Sequence, residues 1–205
     1  MQAKKALAGR LTALARAHRL LAKTAWDGAP LAEIIQGELG EISNQVSVTG
    51  CDIHINARAA HQFALIVYEL ATNAFKYGAL SVPNGRVSIL GKRDRIDGMP
   101  MFSFQWTESG GPPVKKPSRK GFGSVILIDS AQHFARHVTA NYEPHGLRYL
   151  LQVPMQEIGT GPSGMASDVA QVVLDDPVGQ QDRAIHPSAQ ICVAGPGSVS
   201  PSLCS

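Results

Sequence analysis

Cysteine is scarce in this chain: three residues in 205, at positions 51, 192 and 204. Their separations fit neither metal-ligand nor redox-pair spacing, which argues against a disulfide framework or a zinc site and predicts free thiols. Aromatic residues make up only 6% of the chain, and none follows Tyr149. No uninterrupted apolar run approaches membrane-spanning length, and the N-terminus lacks the charged, apolar, small-residue pattern of a cleavable leader. The expectation is a soluble, cytoplasmic protein with no membrane segment in this chain. A net charge of +3 is too mild to suggest nucleic acid as a partner. What is present is a 44% hydrophobic chain, long enough for one good core with residues to spare.

The most informative stretch is Tyr68-Glu69-Leu70-Ala71-Thr72-Asn73-Ala74-Phe75-Lys76-Tyr77-Gly78. Glu69, Asn73 and Lys76 fall at i, i+4 and i+7, so on a helix they point the same way. Ala64, Leu65, Val67, Leu70, Ala71 and Ala74 cover the rest of the cylinder and predict a buried helix, in which a charged stripe needs a partner. A carboxylate, an amide and an ammonium in a row suit Mg²⁺ and a polyphosphate. An amphipathic helix turning an opposite-charge pair to solvent would show the same spacing.

Two glycine-bearing segments downstream favour the ligand reading. Trp106-Thr107-Glu108-Ser109-Gly110-Gly111-Pro112-Pro113-Val114 follows a strand-like alternation. An acid at a strand end followed by glycines lets backbone approach a flat ligand while the carboxylate accepts its hydrogen bond. Gly121-Phe122-Gly123-Ser124 then opens an apolar helix-like run, and amide N–H groups at a helix start suit phosphate oxygens.

An Asn-bearing helix, a Trp-x-Glu strand end with Gly-Gly-Pro and a Gly-Phe-Gly turn, in that order, resemble the ATP-binding catalytic domain of the HWE class of bacterial sensor histidine kinases. The resemblance runs from about Leu11 to Met155 and takes in Arg10-Leu11-Thr12-Ala13-Leu14-Ala15-Arg16-Ala17-His18 and Trp26-Asp27-Gly28-Ala29. It implies that Glu69 and Asn73 hold Mg²⁺, that Asn73 also contacts phosphate oxygens, and that Lys76 neutralises phosphate charge. Glu108 would accept the adenine amino hydrogen, with Gly110 and Gly111 beside the base, and Tyr77 and Phe122 join the nucleotide contacts. Gly121 and Gly123 match the turn that meets the phosphates. Lys115, Lys116, Arg119 and Lys120 resemble the mobile lid over ATP, although an ordinary solvated basic loop would look the same.

The chain departs from that family in two places. Tyr68 stands where the family carries the histidine of its signature, and a phenol cannot take up a proton near neutral pH. Ala3 to Lys23 resembles only the second helix of the dimerisation and phosphotransfer hairpin. None of the seven histidines, His18, His54, His61, His133, His137, His145 and His186, has the context of the phosphoacceptor. His18 is read as helix surface or as part of the join to the next domain.

The element reading starts with a helix to about Ala25 and a second from Pro30 to about Ile42. Short strands follow at Val46–Val48 and Cys51–Ile55, then a long helix capped by Asn56 and ending near Gly78. After the Pro83-Asn84-Gly85 turn come strands near Arg86–Gly91 and Pro100–Trp106. A helix over Phe122–Phe134 and a hairpin of His137–Tyr142 with Leu147–Val153 complete the domain. The expected fold class is α+β: a two-layer α/β sandwich, a mixed sheet with helices on one face, which the resemblance makes one of the histidine kinase/Hsp90-like ATPase type. The domains would be 1–25 (partial hairpin), 26–155 (ATP-binding catalytic domain) and 156–205, a Gly-, Pro-, Ser- and Gln-rich tail expected to be disordered.

The implied activity is that of an ATP-dependent protein histidine kinase in two-component signalling. The ATP γ-phosphoryl group passes to a histidine and then to the receiver domain of a response regulator. The cofactors are ATP and Mg²⁺, and a homodimer or a partner kinase would engage the N-terminal helix. The main alternative is a non-catalytic nucleotide-binding or interaction module that binds a response regulator or a partner kinase. An ATPase or serine kinase on the same fold would share every nucleotide residue.

Overall fold

The computed structural model of the chain describes residues 2–40, 44–114 and 122–159. The elements are α1 (Gln2–Lys23), β1 (Ala29–Pro30), α2 (Leu31–Leu39), β2 (Val46–Thr49), β3 (His54–Ile55) and α3 (Ala57–Tyr77). They continue with β4 (Arg86–Ile96), β5 (Met99–Ser109), α4 (Phe122–Ser124), β6 (His137–Glu143), β7 (Gly146–Pro154) and α5 (Met155–Ile158). Five strands form one sheet in the order β2-β4-β5-β7-β6. β2 runs parallel to β4 and every other pair is antiparallel, so the sheet is mixed.

Alternation in the strands makes this a two-layer structure. On one face β4 contributes Val87 and Ile89, β5 contributes Phe102, Phe104 and Trp106, and β7 contributes Leu147, Tyr149, Leu151 and Val153, all buried. The opposite face carries Arg86, Ser88, Lys92 and Arg148, which are exposed, as period-two alternation requires of a sheet covered on one side only. α3 supplies the covering layer through Phe63, whose ring meets those of Phe102, Phe104 and Phe134 edge-on, with centroids 5.5 to 6.5 Å apart.

Asn56 caps α3 as expected: its Oδ1 accepts from the Ala59 amide at 2.9 Å. Its Nδ2 also donates to the carbonyls of Glu157 and Gly159, at 2.9 and 3.2 Å, tying the helix start to α5. Asn56→Ala should therefore lower stability by about 1–2 kcal/mol in chemical denaturation, a cap plus a tertiary contact. α5 runs from Met155 into the segment expected with the tail, and its Met155 and Ile158 are buried while Gln156 is exposed.

Several element boundaries differ from expectation. β4 and β5 continue to Ile96 and Met99 because Asp97 (φ 52°) and Gly98 (φ 75°) make a two-residue turn of the kind hairpins favour. α2 is the shorter Leu31–Leu39 and stops at Gly40, with φ 65°. Within Cys51–Ile55 only His54–Ile55 is a strand, paired with Ala29–Pro30 outside the main sheet. The alternation that suggested a longer strand reflects burial of Cys51, Ile53 and Ile55. Burial pushes the Cys51 thiol up to about 11, with Asp52 adding to the rise. Phe122–Phe134 is not one regular helix. Wide turns over Val125–Ser130 and a tight one over Ala131–His133 follow α4. There the Tyr149 hydroxyl donates to the Leu127 carbonyl at 2.9 Å, a side chain entering the helical ladder. The expected tail beyond Gly159, the lid residues Lys115, Lys116, Arg119 and Lys120, and Gly121 lie outside the described residues.

Candidate functional site

The stripe on α3 is graded. Glu69 is buried, Asn73 half-buried, and Lys76 exposed. The expectation of a uniformly buried stripe is thus corrected at Lys76: it sits in the last turn of α3, where an exposed cation complements the helix dipole. Tyr77 next to it is 64% exposed. Glu69 has a partner inside the protein. The Arg10 Nε on α1 donates to its Oε1 at 2.6 Å, an ion pair between residues 59 apart in sequence. On its other side lies Gly123, so close that a β-carbon there would fall 2.7 Å from Glu69 Oε2. The glycine turn, the metal-competent helix and α1 therefore converge on one carboxylate. Tyr68, one residue earlier, lies against α1 at Gly9, where any side chain would overlap the phenol.

A second cluster lies where α3 ends and β5 finishes. Glu108 is 5% exposed. Its Oε2 accepts from the Ala79 amide at 2.9 Å, and its Oε1 accepts from the Trp106 indole at 3.2 Å. Burial pushes the Glu108 carboxyl above its ordinary value, while these two hydrogen bonds pull it down. Gly78 is pressed against the carboxylate, leaving no room for a β-carbon, and one on Gly111 would come within 2.6 Å of Ala79 Cα. Glycine is required at both positions by this close approach. Each carboxylate oxygen accepts one bond here and retains capacity for another. Tyr142, which sequence reasoning passed over, is near enough that the Glu108 charge adds to burial in raising its phenol.

The structure brings Gly123 against Glu69, with Asn73 one turn further along the same helix, and sets Glu108 and Gly111 against the end of that helix, whereas Gly110 lies beside Asn84 and Gly85. Phe122 opens α4, whereas Lys120 and Gly121 lie outside the described residues. Arg10 was visible only as part of a motif, because no periodicity links positions so far apart. Among the described residues no three His, Cys, Asp or Glu side chains gather as a metal site. No helix among them is long and apolar enough to cross a membrane. His18 stacks edge-on against Trp26 with ring centroids 4.7 Å apart, as a surface contact of α1.

A mixed sheet covered on one face by α3, with α1 and α2 packed on that helix, is the ATPase-type fold of histidine kinase domains. The histidine kinase domain of the Erythrobacter litoralis EL346 blue-light-activated histidine kinase superposes with a TM-score of 0.58 at 18% identity, covering 74% of this chain and 76% of that one. A second structure of that protein gives 0.59 at 17% identity, covering 76% and 50%. At such identities the likeness establishes the fold.

Similarity in sequence points the same way. The HWE histidine kinase family model matches residues 1–52. The blue-light-activated histidine kinase of Brucella anthropi is 34% identical over 151 residues, 71% of this chain and 31% of that protein. The one from Brucella ovis is 37% identical over 130 residues, 62% of this chain and 27% of that protein. The chain spans under a third of the length of these curated relatives. These matches bear out the resemblance read from the sequence: the chain is related to the HWE histidine kinases.

Proposed function

We propose that the chain supplies the ATP-binding catalytic part of a histidine kinase in two-component signalling, with residues 26–155 as the nucleotide domain and α1 as one helix of a dimerisation hairpin. The observation that carries this reading is the close approach of Gly123 to Glu69, with half-buried Asn73 one turn further along α3. Glu69 Oε2 lies against a glycine that leaves no space for a side chain, and Asn73 follows one turn later on the same face of α3, a donor pair suited to a hard cation and phosphate oxygens. Mg²⁺ held there would neutralise phosphate charge.

The protein's own part in phosphoryl transfer is positioning and charge complementarity. Asn73 orients phosphate oxygens, Lys76 meets phosphate charge from the helix end, and Glu108 accepts from the adenine amino group with Gly110 and Gly111 flanking the base. Tyr77, Lys120, Gly121 and Phe122 would complete the nucleotide contacts. The acceptor histidine would be supplied by another chain or by a region outside this sequence, and the phosphoryl group would pass on to a response regulator receiver domain. α1 exposes Leu7 and Leu11, 57% and 59% accessible and one turn apart, as the surface for a partner helix of a second copy or another kinase.

A second reading, a non-catalytic interaction module, is favoured by one observation: Arg10 already occupies Glu69, and both Glu108 oxygens are engaged within the protein. Calorimetry with ATP in the presence and absence of Mg²⁺ separates the two. Saturable, Mg²⁺-dependent binding is the expected result. A folded protein that binds no nucleotide would leave the interaction module as the better account.

A further inference from the structure

α1 is attached to the rest of the fold by an apolar seam and by ion pairs. Among its described side chains the buried hydrophobic ones are Ala13, Ala17 and Leu21, with Leu20 partly buried beside them. Two ion pairs add to this apolar seam. Arg10 pairs with Glu69 on α3 at 2.6 Å, and Arg16 pairs with Glu38 on α2 at 3.0 Å. The helix leaves through Ala25 and Trp26, consecutive non-glycine residues with φ of 50° and 68°. Two side chains in the left-handed region make a strained joint, held in place by the Trp26 ring against His18 and by the Thr24 hydroxyl donating to the Gly28 carbonyl.

Glu69 is thereby given two uses. Its Oε1 takes the Arg10 guanidinium, while its Oε2 faces Gly123 in the proposed nucleotide cradle. The carboxylate is 4% exposed, so water screens little of the repulsion between the guanidinium on one oxygen and a dication brought to the other. We propose that Arg10 is a tethered cation competing with the Mg²⁺·nucleotide for Glu69, so that docking of α1 and filling of the site oppose each other. By linkage the effect is reciprocal: a docked α1 weakens nucleotide binding, and bound nucleotide loosens α1. This rests on the nucleotide-binding reading above, and it makes the position of the hairpin helix a determinant of affinity.

The test uses the full chain with ATP and Mg²⁺. Arg10→Gln removes the charge while keeping an N–H donor at the position of Nε, and it should tighten Mg²⁺-dependent ATP binding at least about tenfold. Arg10→Lys retains a cation and should stay close to wild type. Affinity for Arg10→Gln that is equal to or weaker than wild type overturns the proposal. Hydrogen exchange on the wild type gives a readout that needs no variant to fold: amides over residues 9–21 should exchange faster once Mg²⁺·ATP is bound. Unchanged or increased protection there, with nucleotide demonstrably bound, sinks the competition while sparing the nucleotide site. A folded wild type that binds no Mg²⁺·ATP overturns both.

Discussion

Asn73→Ala is expected to remove Mg²⁺-dependent ATP binding, weakening it on the order of 100-fold, about 2.7 kcal/mol. Asn73 lies one turn after Glu69 on α3, half-buried on the graded stripe. Its carboxamide oxygen is a neutral hard donor, able to face a cation and a phosphate at once without adding negative charge. Alanine has the higher helix propensity, so α3 should persist and the loss should appear in binding rather than in folding. Asn73→Asp sharpens the argument. It keeps an oxygen donor for the cation but sets a carboxylate against phosphate, so ATP should still bind poorly while the protein remains folded. Calorimetry beside circular dichroism reads both quantities. Wild-type affinity in Asn73→Ala would remove this residue from the site.

Trp106→Ala should cost about 3–5 kcal/mol of folding free energy, the range for emptying a large aromatic from a core. Trp106 is fully buried in the central strand β5, with Ile89 of β4 on one side in register and Tyr149 of β7 on the other. Its removal opens a cavity across three strands. It also takes away the indole that donates to Glu108, leaving a buried carboxylate with the Ala79 amide as its remaining partner. Since a domain of this size is stable by only about 5–15 kcal/mol, the variant should lie near the edge of folding. Trp106→Phe keeps most of the volume and isolates the lost hydrogen bond, at about 1–3 kcal/mol. Urea denaturation monitored by circular dichroism measures all three proteins. A cost for Trp106→Ala below about 1 kcal/mol would mean that β5 is not the packed centre of the sheet.

What the chain alone made legible was local or periodic. Asn56 and Gly78 bracket α3 because a cap and a terminator act on the backbone beside them. Alternation marked the inner face of β5 and β7, and the glycines at 110, 111 and 123 pointed to close backbone approaches. The same local signals misled where burial and strand pairing share a period, as at Cys51–Ile55. The Asp97-Gly98 turn, readable in principle, carries β4 and β5 further than their apolar cores suggested.

Tertiary structure decided how the polar residues are used. Nothing in spacing links Arg10 to Glu69, or the Glu108 carboxylate to the Ala79 amide, because these contacts depend on how α1 and the end of β5 pack against α3. Nor does helical periodicity tell that Glu69 is buried while Lys76 reaches water. Periodicity assigns a side chain to a direction around the axis, whereas burial along the axis depends on where the neighbouring layer ends.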